Sequence, residues 1–428
     1  MLETYIEIPD ELKKYMNLII DAGYECYLVG GAVRDALLGV SNKDYDFCTN
    51  IPFDKLKDLV PNLSVMKENS HRNTAVMRVD GLDVEFTMFR GNSLKEDLSN
   101  RDFTINAIAV DVNGMVIDYF NGLDDIKNKK VRLVKTFGFD FDALRILRTI
   151  RFTLKYEFNI DDDTKKEMFK NKKLLKNVAG ERVFEELKKI IVYDDFYKVL
   201  DEYREIFFEL IPELSECNNF GQYNNYHIYD VYTHIINVVK NIPNDIYLRF
   251  AALFHDIGKP RVFKRDDKGV GHFLGHPKAS CDIFKKFADT YRLDNKTRKI
   301  VSDLILYHDD NLSIKTNKIY NFYKKFNMDR IEMLFKLKEA DIKGQNPIYI
   351  SRLDYIREVE DKYLEVRNEY KSILYNGSDL IKLGFSGKII GVILDDVRIN
   401  IINGNLKNDY LSINNYVLKK YKIECSKN

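Results

Sequence analysis

Apolar residues recur at helical spacing through IPDELKKYMNLIIDAGY, which predicts a helix over roughly residues 1–25 that ends at Gly23. A short unbroken apolar run, ECYLVGG, follows and reads as a buried strand closed by glycines. AVRDALLG returns to helical spacing as far as Gly39. KDYDFCT and DGLDVEFTMFR alternate between two faces, as half-buried strands do. MVIDYF reads as a further strand, ended by Asn121-Gly122. From about residue 136 the period changes. FDALRILRTIRFTLKY and ERVFEELKKIIVY are amphipathic helices rich in Lys and Arg, and helices dominate the remainder. The pattern predicts an α+β chain: a mixed sheet with helices over residues 1–135, then an all-α remainder. No internal repeat or low-complexity linker interrupts it.

Composition narrows the class. A chain of 428 residues is expected to form two to four domains. Its 67 Lys and Arg offset 66 Asp and Glu, so the net charge of +1 announces no global field for nucleic acid. A local basic face remains open. The five cysteines show no C-x-x-C spacing, which argues against a disulfide framework or a cysteine zinc site. No apolar run is long enough to span a membrane, and the acidic, amphipathic start is not a signal peptide. A cytoplasmic protein is expected.

The chemistry starts at Gly30-Gly31. Glycines between a strand and a helix let the backbone approach a phosphate, and the helix N-terminus offers free N–H groups. Arg34, on the first turn, has the reach to bind a triphosphate bidentately. Asp44 and Asp46 stand at i and i+2 of a strand, on one face. Two such carboxylates repel unless a cation lies between them, and oxygen ligands suit Mg²⁺. A pair of Mg²⁺ ions there would activate an attacking hydroxyl and stabilise a leaving pyrophosphate. A third carboxylate comes from the strand 83–90, where Asp83 and Glu85 share a face. Further on, Asp142 and Arg145 stand three apart in a helical pattern. An acceptor and a donor so placed match the amine and ring nitrogen shared by cytosine and adenine, whereas uracil and guanine reverse both polarities.

YLVGGAVRDALLG…KDYDF resembles the head of the class II (bacterial-type) tRNA nucleotidyltransferase and poly(A) polymerase family, whose palm is polymerase-β-like. RDFTINA (101–107), DYFNGLDDIKNKKVRLV (118–134), DALRILRTIRF (142–152) and ERVFEELKKI (181–190) continue the likeness in order. The resemblance implies that Asp44 and Asp46 hold the metals, with Glu85 as the third carboxylate. It implies that Gly30, Gly31, Arg34 and Arg101 bind the triphosphate. Asp142 and Arg145 would read the base, with Arg148 and Arg151 continuing towards the phosphates. Two departures stand out: Phe141 occupies a position usually held by Glu, and Asn100 one usually held by Arg. Only Gly91-Asn92-Ser93 separate the strand ending at Arg90 from LKEDL, where members that complete a CCA end carry a longer segment. CC addition to a tRNA 3′ end from CTP, with a separate A-adding enzyme, is therefore expected. Full CCA addition from CTP and ATP is the alternative.

Six of the seven histidines fall between His227 and His308. His227 and His234 are seven apart, which predicts one helical face. His255-Asp256 ends an apolar helix stopped by Gly258 and Pro260, and His276, His308 and Asp341 follow. An adjacent His-Asp pair with distant His and Asp partners suits one divalent metal with open positions for water and phosphate. This resembles an HD domain. The resemblance implies His234, His255, Asp256 and Asp341 as metal ligands, Lys259 as a phosphate contact, and His276 and His308 as ligands of phosphate or of a second metal. The implied order is a head over 1–135, a neck over 136–222, an HD domain over 223–345 and a helical tRNA-binding tail over 346–428. Lys170, Lys172, Lys173, Lys176 and Lys188-Lys189 are candidate tRNA-phosphate contacts. A reading from another class is an HD phosphohydrolase whose head only docks RNA.

Overall fold

The computed structural model describes residues 4–60, 63–68 and 72–425. These fall into two compact units, residues 1–193 with 203–210, and residues 194–202 with 211–428.

In the first unit, α1 (Asp10–Asp21) buries Leu12, Met16 and Ile19, one helical stripe, and ends before Gly23 at φ +86°. Next come β1 (Cys26–Val29), α2 (Gly31–Leu37), β2 (Asp44–Thr49), α3 (Phe53–Leu59), β3 (Ser64–Glu68), β4 (Arg72–Val79) and β5 (Leu82–Met88). Then α4 (Leu94–Ser99), β6 (Ile108–Val110), β7 (Val116–Asp118) and α5 (Gly122–Lys127) close the head. The sheet order is β3-β4-β5-β2-β1-β6-β7, with β2 and β5 parallel and the other pairs antiparallel. Phe47, Val84 and Phe86 bury one face against α1 and α3 residues such as Met16 and Leu56. Val29, Cys48 and Ala109 pack the other against Leu94 and Leu98 of α4. MVIDYF is strand only as far as Asp118. Its carboxylate accepts the N–H groups of Phe120, Gly122 and Leu123, which turns the chain out of the sheet.

The helices α6 (Gly138–Phe141), α7 (Leu144–Tyr156), α8 (Asp162–Asn171) and α9 (Gly180–Ile191) follow, with a two-strand ladder of β8 (Lys130–Val131) and β9 (Asn159–Ile160). α7 buries Leu144, Leu147 and Ile150 on one side, which leaves Arg145, Arg148 and Arg151 on another.

Beyond it the chain runs through α10 (Phe196–Glu202), α11 (Arg204–Leu210), α12 (Glu213–Cys217), α13 (Val231–Asn241), α14 (Ile246–Phe254), α15 (Lys259–Val262), α16 (His276–Thr290) and α17 (Asn295–Tyr307). It continues as α18 (Thr316–Tyr323), α19 (Ile331–Gly344), α20 (Arg352–Ser372), α21 (Gly377–Lys382), α22 (Ile389–Ile402) and α23 (Tyr410–Cys425). A ladder of β10 (Lys264–Arg265) and β11 (Gly271–His272) interrupts the helices. The last helices share an apolar core of Leu380, Ile393, Val397, Ile413 and Val417. Among the described residues no helix is long and apolar enough to cross a membrane.

Candidate functional site

The head builds a cavity of about 680 Å³, lined by Gly30, Gly31, Arg34, Asp44, Asp46, Arg101, Asp142, Arg145, Arg148 and Arg151 among others. The head candidates other than Glu85 therefore line one cavity. Glu85 joins through register: β2 pairs with β5 so that Asp46 stands opposite Glu85, and β1 sets Val29 opposite Asp46. Glu85, Asp46 and the turn at Gly30 thus lie in one row across three strands. Asp83 stands opposite the exposed Asp44, with Arg78 at 3.5 Å. Asp83 is exposed and paired with Arg78, whereas Glu85 is partly buried beside Asp46, which favours Glu85 as the third carboxylate.

Gly30 has φ +74°, and a Cβ there would lie 3.0 Å from an Arg101 nitrogen and 3.4 Å from Asp46. Glycine is required both by the backbone and by this approach. Burial pushes the Asp46 carboxyl above its usual range; Arg101 opposes this and Asp44 adds to it. An oxygen-only donor set that resists holding its own charge fits a hard divalent cation.

Arg34, Arg148 and Arg101 are each held by side-chain partners. Buried Arg34 donates to Asp35 through Nε (2.9 Å) and Nη2 (2.8 Å), and to Asn106, under the rings of Phe152 and Tyr156. Arg148 donates to Asp102 (2.8 Å through Nε), and Asn106 donates to the other oxygen of that carboxylate at 2.9 Å. Arg101 is anchored by the fully buried Asp97, at 3.0 and 2.9 Å. Asp35, Asp97 and Asn106 were not singled out from sequence, although Asp97 lies four residues before Arg101, a helical pairing distance.

Asp142 and Arg145 do not share a helix. Asp142 is extended (φ −155°, ψ 99°) and α7 begins after it; its carboxylate accepts the Leu144 N–H at 3.2 Å. The two still line one cavity, each already braced. Asp142 accepts from Arg182 at 2.8 Å, and Arg145 donates to the Asn100 carbonyl at 3.0 Å. The basic run meets carboxylates: Lys170 with Glu167, Lys172 with Glu205, Lys176 with Glu209, and Lys188 with Glu185.

Asp102 gives a test of the buried pairing. Burial pushes its carboxyl up, but the Arg148 charge and the hydrogen bonds from Asn106, Arg148 and the Phe103 N–H hold it well below the usual range. A depressed carboxylate stabilises the fold above its unfolded pKa, about 3.9, and that contribution is lost as pH falls further towards the folded value. Asp102→Asn is expected to cost about 2–3 kcal/mol at pH 7. In urea titrations the gap to the unsubstituted protein should narrow below pH 4.

The second cluster lies in the helical unit. His234, His255, Asp256 and Asp341 bring one donor atom each together, and Asp256, His276 and His308 form a second set. His227 is not on the helix of His234, because Asp230 caps α13 by accepting the Thr233 N–H at 2.7 Å. Its ring instead stands edge-on to His234, with centroids 4.8 Å apart.

Each of the four cluster histidines has its Nδ1 against a backbone carbonyl: His234 on Gly344, His255 on Ala252, His276 on Phe273 and His308 on Ile305, at 2.7–3.1 Å. That assigns Nδ1 as donor and leaves each Nε2 facing inward. The Nε2 atoms of His234 and His255 lie 3.2 Å apart, as do those of His276 and His308. Asp256 serves both pairs: Oδ2 lies 3.1 and 3.2 Å from His234 and His255, while Oδ1 lies 3.1 and 3.6 Å from His276 and His308. Converging lone pairs at such distances need a proton or a cation between them. Burial opposes protonation of His234, yet its hydrogen bonds to Asp256 and Asp341 raise its pKa to about 9. Mixed N/O donors around a shared carboxylate fit one or two divalent metals. Lys259 reaches Asp256 at 2.6 Å and Gln222 at 2.8 Å.

Family models match in the same order: the poly A polymerase head domain over residues 26–132, the probable RNA- and SrmB-binding site of polymerase A over 157–217, and the HD domain over 226–356. A CCA-adding enzyme of Ligilactobacillus salivarius (strain UCC118) is 28% identical, over 94% of this chain and 95% of its own. One from Streptococcus pyogenes serotype M2 (strain MGAS10270) is also 28% identical, over 96% and 97%. Among solved structures, the Bacillus stearothermophilus CCA-adding enzyme in complex with CTP shares the fold at a TM-score of 0.67 and 21% identity, covering 98% of each chain. The Thermotoga maritima CCA-adding enzyme complexed with tRNA does so at 0.65 and 20%, over 98% of this chain and 99% of its own. The chain belongs to the class II tRNA nucleotidyltransferase and poly(A) polymerase family and carries an HD domain.

Proposed function

We propose that this chain adds nucleotides to tRNA 3′ ends from CTP and ATP and completes the CCA terminus. The carrying observation is the single cavity in which paired carboxylates, three arginines of α7 and the Asp142–Arg145 pair meet. The tRNA 3′-oxygen forms the new bond to the α-phosphate, and the bond from that phosphate to the leaving pyrophosphate breaks. Asp44, Asp46 and Glu85 would hold the divalent ions, of which Mg²⁺ suits the donors best; such ions activate the hydroxyl and stabilise the leaving group. Gly30 and Gly31 let the triphosphate come close to the backbone. Arg101, fixed by Asp97, faces it beside Asp46, and Arg34 forms the floor.

Asp142 accepts from the exocyclic amine of cytosine or adenine, and Arg145 donates to the adjacent ring nitrogen. Their braces, Arg182 and Asn100, set these polarities before a nucleotide arrives. Supplied singly with a tRNA ending before its CCA, CTP should be incorporated and UTP and GTP rejected at least 10²-fold. Arg145→Ala should cut the CTP-over-UTP preference about 30-fold or more. An unchanged preference would remove Arg145 from base reading.

The short 91–93 connection is the feature behind the CC-only expectation. It forms a compact cap: Ser93 accepts the Glu96 N–H, and the Glu96 carboxylate accepts the Asn92 N–H at 2.6 Å. Relatives matched over nearly their whole length are CCA-adding enzymes, which favours the full reaction and makes a separate A-adding partner unnecessary. The geometry of the histidine cluster favours a second activity, hydrolysis of phosphate esters at the HD centre, with Lys259 placed for the phosphate.

A further inference from the structure

Two aromatic residues, Phe141 and Phe152, line the head cavity. Phe152 is buried, and the guanidinium groups of Arg34, Arg148 and Arg151 lie over its ring. Phe141 is different. It is 76% exposed and is the last residue of α6, directly before Asp142. Phe137, one turn earlier, is 65% exposed. The helical turn is already formed there, because the Phe137 carbonyl accepts the Asp140 N–H at 3.2 Å. Residues four apart share a helical face, so α6 presents both rings on its outer side. Its inner side is fixed. Phe139 is fully buried, and a Cβ at Gly138 would lie 3.0 Å from Leu133 and 3.2 Å from an Arg145 nitrogen. The bare backbone at Gly138 lets α6 press against Arg145, which sets the outer rings beside the base reader.

The cavity wall sets eight cationic side chains against five carboxylates, a balance that suits a polyanion. Rings beside such a wall are the pattern that holds single-stranded RNA, with bases stacked on the rings and phosphates on the charges. We propose that Phe141 and Phe137 stack the unpaired 3′-terminal bases of the tRNA acceptor strand and aim its 3′-oxygen into the cavity. This rests on the reading of the head as a site of nucleotide addition to tRNA. Phe141 lines the cavity and Phe137 stands outside its lining, so the pair leads outwards from the base reader. A strand follows such a path, whereas a mononucleotide in the cavity meets Phe141 alone. Stacking also suits the task. The terminal base changes with each addition, so its holder must accept different bases, and every base has a π-face.

The test compares two RNAs by filter binding at one ionic strength: a tRNA ending in CC, and the same tRNA trimmed back to its last base pair. Phe141→Ala and Phe137→Ala, both at exposed positions, should each weaken the CC-ending tRNA at least about fivefold and leave the trimmed tRNA within about twofold. Phe141→Tyr should retain binding. The KM for CTP and the CTP-over-UTP preference should stay within about twofold, because Asp142 and Arg145 are untouched. Three results overturn the proposal while extension of tRNA by the unsubstituted protein upholds the activity of the head. Equal weakening of both RNAs places the rings against the duplex. A raised KM for CTP with unchanged tRNA affinity places Phe141 against the incoming base. Affinity indifferent to both alanine variants leaves the rings without an RNA contact. Failure of the unsubstituted protein to extend any tRNA overturns the activity and the proposal with it.

Discussion

Asp46→Ala is expected to abolish nucleotide addition, lowering kcat at least 10³-fold, about 4 kcal/mol in the barrier. The residue is flanked by Glu85 across β5 and by the Gly30 turn across β1, and it lines the nucleotide cavity. Its loss removes the carboxylate common to the row. The fold should not suffer. A carboxylate whose pKa is raised in the folded state penalises folding once it ionises, so the metal-free protein gives up stability at Asp46 as pH rises towards neutrality. Asp46→Asn should therefore leave the thermal midpoint of the metal-free head unchanged or slightly higher at pH 7. Inactivity combined with a sharply lower midpoint would mean that Asp46 is structural.

Asp256→Asn should have the largest effect in the helical unit. One oxygen of this carboxylate faces His234 and His255, the other His276 and His308. Its neutralisation should cost both donor sets their metal, measured as metal content after dialysis, and should end any phosphate-ester hydrolysis. It also leaves the buried Lys259 without its 2.6 Å partner, at a cost of about 3 kcal/mol in stability. Nucleotide addition should stay within about twofold of the unsubstituted protein. Metal content unchanged by the substitution would contradict the shared-carboxylate account of the two donor sets.

Local pattern carried much of this architecture, and its failures have local causes. α1 and β5 are legible because one buries a helical stripe and the other alternate residues in the head core, whereas β1 is legible as an apolar run buried on both faces. β6 is buried at all three residues inside RDFTINAIAV, where no alternation exists to be read. Asp142 reads as helical by spacing alone, but its short carboxylate competes for the Leu144 N–H and holds the backbone extended. His227 was misplaced by counting to seven across Asp230, whose capping side chain marks the true start of α13. Gly30, Gly31, Arg34, Asp44, Asp46 and Arg101, each carried by a local motif, line one cavity. Their supports, Asp97 beneath Arg101 and the Asn106–Asp102–Arg148 chain, were silent because a hydrogen bond between distant segments leaves no periodic trace.

The most direct test of the account is the length of the product made from a tRNA ending before its CCA, with Mg²⁺ and CTP plus ATP together. The proposed function predicts extension by three residues, C, C and A, with CTP alone giving two. A product that stops after two cytidines with both nucleotides present would contradict full CCA addition and make the 91–93 connection decisive. No extension at all would contradict the assignment of the head cavity as a nucleotidyltransferase site.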